Sequence, residues 1–153
     1  MGRVSPGKWL SIIHRCHNAF VDSQFRDLDI GHGPRAFLMA LSFQDGVTQD
    51  ELSSRLWMDK TTTARAVKKL VESGYVRKER DLRDKRYCHL YITEKGMALI
   101  PRILEARERF KSMMTAGMAD EEIEELLRLL EKVASSLMDF REKDFPPGPG
   151  VSE

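Results

Sequence analysis

The sequence predicts a mainly α-helical chain with one small β-hairpin, an α+β protein. Apolar residues recur at helical spacing through most of the 153 residues. The period drops to two only in the runs "YVRKER" and "YCHLYIT". Glycine, proline and small polar residues punctuate the joints between these segments. With 41% apolar and 32% charged residues, the chain can bury one core and still carry long solvated helices.

The first predicted helix runs from Trp9 to about Leu28, with Trp9, Ile12, Ile13, Cys16, Ala19 and Phe20 close to a 3.6-residue period. "DIGHGP" breaks it, and Pro34 is tolerated in the first turn of a short helix through Phe37, Leu38 and Leu41. Thr48 and Glu51 have the T-x-x-E spacing of a capping box, which opens a third helix with Leu52 and Leu56 inward. Asp59 is the expected N-cap of the fourth, and Gly74 its terminator. Thr63, Ala66, Val67 and Leu70 line one face of that helix, while Thr61, Thr62, Arg65, Lys68 and Lys69 lie mainly on the other. Two short helices joined by a tight turn, the second basic on its outer side, describe a helix-turn-helix.

The two strand-like runs follow, joined by "DLRDK", so an antiparallel hairpin with a charged tip is expected. In the second strand Cys88, Leu90 and Ile92 share one face, and Tyr87, His89 and Tyr91 the other. Thr93 then caps a long helix containing Leu99, Ile103, Phe110, Met113 and Met114, whose first turns Gly96 and Pro101 weaken. Ile123, Leu126, Leu127, Leu130, Val133, Ala134 and Leu137 form the apolar stripe of a last helix, with Asp120, Glu121 and Glu122 at its positive N-terminal end. The Pro- and Gly-rich residues 145–153 are expected to be disordered.

Charge is unevenly spread. Residues 60–95 hold 11 Lys and Arg against 5 Asp and Glu, whereas residues 119–144 hold 4 against 9. The first segment suits an anionic partner, although solvated ion pairs would also account for it. No Gly-rich phosphate loop, G-x-S-x-G or H-E-x-x-H pattern is present, so an enzyme is not expected. Neither a cofactor nor a metal is expected: His14 and His17 lie at i, i+3, but no second His/Cys pair completes a ligand set. Two cysteines cannot form a disulfide framework. The N-terminal apolar run stops at His14, too short for a signal core, and a cytoplasmic protein follows.

Two longer stretches carry a family resemblance. "DLRDKRYCHLYITEKG" has the form Asp-x-Arg-Asp-x-Arg, an alternating strand, then Ile-Thr-x-x-Gly; "DKTTTARAVKKLVESGYVRK" precedes it. In this order they resemble the wing and the recognition helix of the MarR family of winged helix-turn-helix transcriptional regulators, and the likeness spans about Trp9 to Phe140. It implies an N-terminal dimerisation helix in residues 1–30, a winged helix-turn-helix domain in 31–95, and C-terminal dimerisation helices in 96–144. It further implies a sequence-specific, ligand-responsive repressor that binds a pseudo-palindromic operator as a homodimer.

Arg86 is then the side chain expected in the minor groove, with Asp84 orienting its guanidinium, and Asp81 and Arg83 steadying the turn or meeting phosphate. Thr61, Thr62 and Arg65 are placed to read base edges, and Lys60, Lys68 and Lys69 to hold phosphates. Trp9, Ile12, Ile13, Leu126, Leu130, Val133 and Leu137 are either intramolecular core or dimer interface. His14, Arg15, His32 and Met39 are candidates for the pocket of a small aromatic or phenolic effector. Cys16 is expected to be buried beside Ile12 and Ile13; the alternative is a peroxide-sensing thiol. A winged helix used only for protein association is the other alternative function.

Overall fold

The computed structural model describes residues 5–28 and 30–144; side chains are described through Phe140, except that of His32. The expected disorder of residues 145–153 therefore lies outside the described residues. The elements in chain order are α1 (Pro6–Gln24), α2 (His32–Phe43), β1 (Val47–Thr48), α3 (Gln49–Arg55), α4 (Lys60–Glu72), β2 (Val76–Arg80), β3 (Cys88–Ile92), α5 (Glu94–Met114) and α6 (Asp120–Asp144). They form two compact units, one up to Phe110 and one from Lys111 onward.

In the first unit the core is built around α2. Phe37, Leu38 and Leu41 are fully buried, and Met39 nearly so. Covering them are α4, through Val67 and Leu70, and β3, through Leu90. Leu52 of α3 completes the centre, while Leu56 is only partly buried at the end of that helix.

The observed α1 starts and ends earlier than the sequence pattern suggested. Pro6 occupies a first-turn position behind Ser5, where its missing N–H costs nothing. At the other end Phe25 turns into the core, and Arg102 of α5 donates to the part-buried Gln24 carbonyl at 2.5 Å while forking onto the Asp27 carboxylate at 2.5 and 2.7 Å. The helix stops where a distant side chain satisfies its last carbonyl, that of Gln24, while the Phe25 N–H donates to the Asp22 carbonyl.

The hairpin of β2 and β3 forms in the expected place, with Lys78 opposite Leu90 and Glu79 opposite His89. The sheet gains a third strand. β1 pairs antiparallel with β3, giving the order β1-β3-β2. Two residues are too few for an alternating pattern to be visible in the sequence.

α5 includes both Gly96 and Pro101. Pro101 lies within the helix, which runs unbroken past it. Thr93 caps the start: its hydroxyl accepts from the Gly96 N–H at 3.1 Å and donates to the Gly74 carbonyl at 2.7 Å. A methyl group on Gly96 would collide with the Tyr75 carbonyl and lie 2.6 Å from Ile92 Cγ1. Glycine is required because the first turn of α5 presses directly on the sheet. Gly96→Ala is therefore expected to lower unfolding free energy by about 1–3 kcal/mol, the usual cost of overpacking. Urea titration would measure it; an unchanged midpoint would show that the contact relaxes freely.

The second unit contains α6. None of its residues from Asp120 to Phe140 is buried, and the apolar stripe of Leu127, Leu130, Val133 and Leu137 is exposed. Met113 and Met114, at the end of α5, are exposed too. Among the described residues, nothing buries the α6 stripe.

Candidate nucleic-acid interface

The turn into the recognition helix is held from beneath. Buried Ser53 of α3 donates its hydroxyl to the Met58 carbonyl at 2.9 Å, and Met58 N–H returns to the Ser53 carbonyl at 3.1 Å. Between them Trp57 adopts the left-handed backbone region, φ 52°, so the chain reverses sharply into α4. Asp59 caps that helix, accepting from the Thr62 amide at 2.7 Å and the Thr62 hydroxyl at 2.6 Å. Both bonds favour its charged form and hold its pKa below the usual aspartate value.

This start fixes the rotation of α4. Thr63, Ala66, Val67 and Leu70 are buried, so Lys60, Thr61, Thr62, Arg65 and Lys68 are exposed together, with Lys69 half-buried at their edge. Lys60 lies 3.4 Å from Asp50, and Lys68 lies 3.8 Å from Glu72. Such exposed pairs are weak and salt-sensitive, so phosphates can displace them.

The wing tip, residues 81–87, is organised by its two aspartates. One oxygen of Asp81 accepts the Arg83 and Asp84 amides at 2.7 and 3.0 Å. Asp84 accepts from Arg86 at both Nε (3.0 Å) and a terminal guanidinium nitrogen (2.7 Å), a bidentate grip. Backbone amides hold the Asp81 pKa down, and the Arg86 guanidinium does the same for Asp84. Arg86 nevertheless remains 83% exposed. A long side chain is thus fixed in direction without being covered.

Beneath this surface the first unit contains a cavity of about 840 Å³, lined mainly by apolar side chains of α1, α2 and α5. His14 and Met39 line it as the sequence suggested; Arg15 does not, because it lies on a different face of α1, and the His32 side chain is outside the described residues. Sequence reasoning missed Arg35. Only 5% exposed, it stacks over Phe25 at 4.5 Å and donates to the Ile30 carbonyl at 2.9 Å. Its Nε and second terminal nitrogen have no hydrogen-bond partner, and the Asp22 carboxylate stays 3.6 Å away. Burial lowers its pKa, against the pull of Asp22. The only hint in the sequence is an arginine amid an apolar helix.

Cys16 is exposed rather than buried, because α1 turns Phe20 and Val21, not Cys16, toward the core. His14 lies 3.0 Å from Asn18, and His17 packs edge-on against Phe110. Trp9 and Ile13 are exposed and Ile12 half-buried; Leu126 is half-buried on α6.

A basic helix set on a helix-turn-helix beside an arginine-bearing hairpin defines a winged helix-turn-helix transcriptional regulator. Comparison with known proteins agrees: residues 36–86 match the MarR family model. The chain is 30% identical over 128 residues to the uncharacterized HTH-type transcriptional regulator YybA of Bacillus subtilis, an alignment covering 84% of this chain and 85% of that protein. It is 33% identical to a MarR transcriptional regulator of known structure from Methanosarcina mazei, with a TM-score of 0.80 over 88% of this chain and 96% of the other. A MarR protein from Peptoclostridium difficile shares 28% identity and a TM-score of 0.85, covering 94% and 97%. The chain belongs to the MarR family. Its relatives are regulators of transcription, not enzymes. Among the described residues no helix is long and apolar enough to cross a membrane.

Proposed function

We propose that this regulator binds a pseudo-palindromic operator as a homodimer and represses transcription until a small anionic effector releases it. The observation that carries the DNA reading is the shared exposure of Arg65 on α4 and the Asp84-oriented Arg86 on the wing. Arg65, with Thr61 and Thr62, reads base edges in the major groove. Arg86 enters the adjacent minor groove, where the potential is most negative, and Lys60, Lys68, Lys69 and Arg83 hold phosphates. Two copies supply half-sites about one turn, roughly 10 base pairs, apart. Their contact uses the exposed Trp9 and Ile13 with half-buried Ile12 on α1, and the exposed Leu130, Val133 and Leu137 with half-buried Leu126 on α6.

Selection from a random duplex library tests this reading. Wild type is expected to enrich an inverted repeat. Arg65→Ala should relax the preference at one position per half-site by about 1–3 kcal/mol, whereas Lys68→Ala should weaken all duplexes alike and flatten the salt dependence. Enrichment identical in wild type and Arg65→Ala would remove α4 from the reading.

The effector reading rests on Arg35. A buried guanidinium beside an apolar cavity, its Nε without a hydrogen-bond partner and its second terminal nitrogen held only by the 3.6 Å ion pair with Asp22, suits a carboxylate or phenolate on a ring-sized body. Benzoate and salicylate are suitable probes. Wild type is expected to gain thermal stability with either and to release DNA; Arg35→Met should keep the fold and lose both responses. Equal responses in Arg35→Met would place the anion elsewhere.

A further inference from the structure

We infer that His89 is a positioning residue for the wing: as an imidazolium it ties the tip carboxylate of Asp81 to the Gly46 carbonyl and so fixes where Arg86 is presented. This rests on the DNA-binding reading above. His89 Nδ1 lies 3.0 Å from the Gly46 carbonyl oxygen, and Nε2 lies 3.0 Å from Asp81 Oδ2. Both partners are acceptors only. A neutral imidazole has one N–H, so one contact would set a lone pair against a lone pair; only the imidazolium donates to both.

The two acceptors belong to different parts of the molecule. Gly46 precedes β1 in the left-handed region, φ 72°, and its N–H donates to the Leu90 carbonyl at 2.9 Å, which anchors that carbonyl to the sheet. Asp81 opens the tip, where its other oxygen holds the Arg83 and Asp84 amides, and Asp84 in turn grips Arg86. Beside the backbone bond from the Asp81 N–H to the Tyr87 carbonyl at 3.0 Å, a side-chain path from the sheet to Arg86 therefore passes through one ring that is 27% exposed, within reach of solvent protons.

The charged groups facing this ring favour its protonated form. Asp81 does so from the tip and Glu51 from the first turn of α3. Glu79, directly opposite on β2, is engaged by Arg77, and Arg55 lies near Glu51. The hydrogen bond to Asp81, then that to Gly46, raise the His89 pKa above its usual value. A raised folded-state value means that the clasp is complete below the ordinary histidine pKa and is lost as pH rises through the folded one. Loss of the clasp frees the Asp81 side chain from the sheet and loosens the tip, and DNA affinity falls with rising pH.

The test has one arm without DNA and one with it. Nitrogen NMR of the free protein, with His89→Gln assigning the resonance, is expected to show both ring nitrogens protonated and a midpoint above the ordinary value of about 6.5. Affinity for a duplex enriched by the wild type is then compared between about pH 6 and about pH 8.5, an interval spanning the ordinary histidine pKa. Wild type should bind about threefold to fivefold more tightly at the lower pH, the scale of one exposed charged pair. His89→Gln should be flat, and in Arg86→Ala the pH response should largely vanish because the clasp acts through Arg86. A midpoint at or below the ordinary value, a response retained in His89→Gln, or one retained in full by Arg86→Ala would each overturn the inference. If the wild type enriched no duplex, the DNA reading would fail by itself. Backbone order at residues 81–87, falling or not falling as His89 loses its proton, would then decide whether the clasp exists.

Discussion

Phe37, Leu38 and Leu41 of α2 are completely removed from solvent, and the elements that cover them also carry the exposed basic surface. Full burial of one such side chain contributes about 1.5–3 kcal/mol, so three on a single short helix match a large part of a domain's usual net stability. Because α4 and β3 pack on the same helix, the rotation of the recognition helix and the position of the wing have one common support. A core change that moved α2 would disturb both. The Thr93–Gly96 junction extends that support to α5, whose first turn is seated against Tyr75 and Ile92.

The wing depends on polar fasteners instead. Its strands bury little beyond Val76 and Leu90, and its tip holds its shape because Asp81 and Asp84 accept from amides and a guanidinium. Acidic residues in a positively charged loop would repel DNA if they pointed outward. Here they are consumed internally, which directs Arg86 outward. Arg35 presents the opposite case: a cation held beneath the surface with part of its hydrogen-bonding capacity unused. An exposed guanidinium with a fixed direction suits a polymer of phosphates, and a buried one with unmet donors suits a small anion.

Local chemistry made much of this legible. Asp59 and the Thr48–Glu51 capping box mark helix starts, and both are present. The division of α4 into a buried Thr63–Ala66–Val67–Leu70 face and a basic face followed from spacing alone, as did the hairpin. Three features depended on distant partners and were not legible. β1 is paired by β3, α1 ends where Arg102 from another helix takes its last carbonyl, and Gly96 looks like a defect until the Tyr75 carbonyl stands beside it. Cys16 was misjudged because local apolar neighbours say nothing about which side of a helix meets the core. His89 was visible as a strand residue, but the turn and tip acceptors on either side of it were not.

Hydroxyl-radical footprinting of the wild type and Arg86→Ala on the enriched duplex would test most directly whether recognition helix and wing act together. Cleavage occurs at the sugars lining the minor groove. The account predicts two symmetric sets of protected sugars, each with a flanking segment that Arg86→Ala leaves open while the inner protection persists. Identical footprints for the two proteins would show that Arg86 does not occupy the minor groove, and the account of the wing would be wrong.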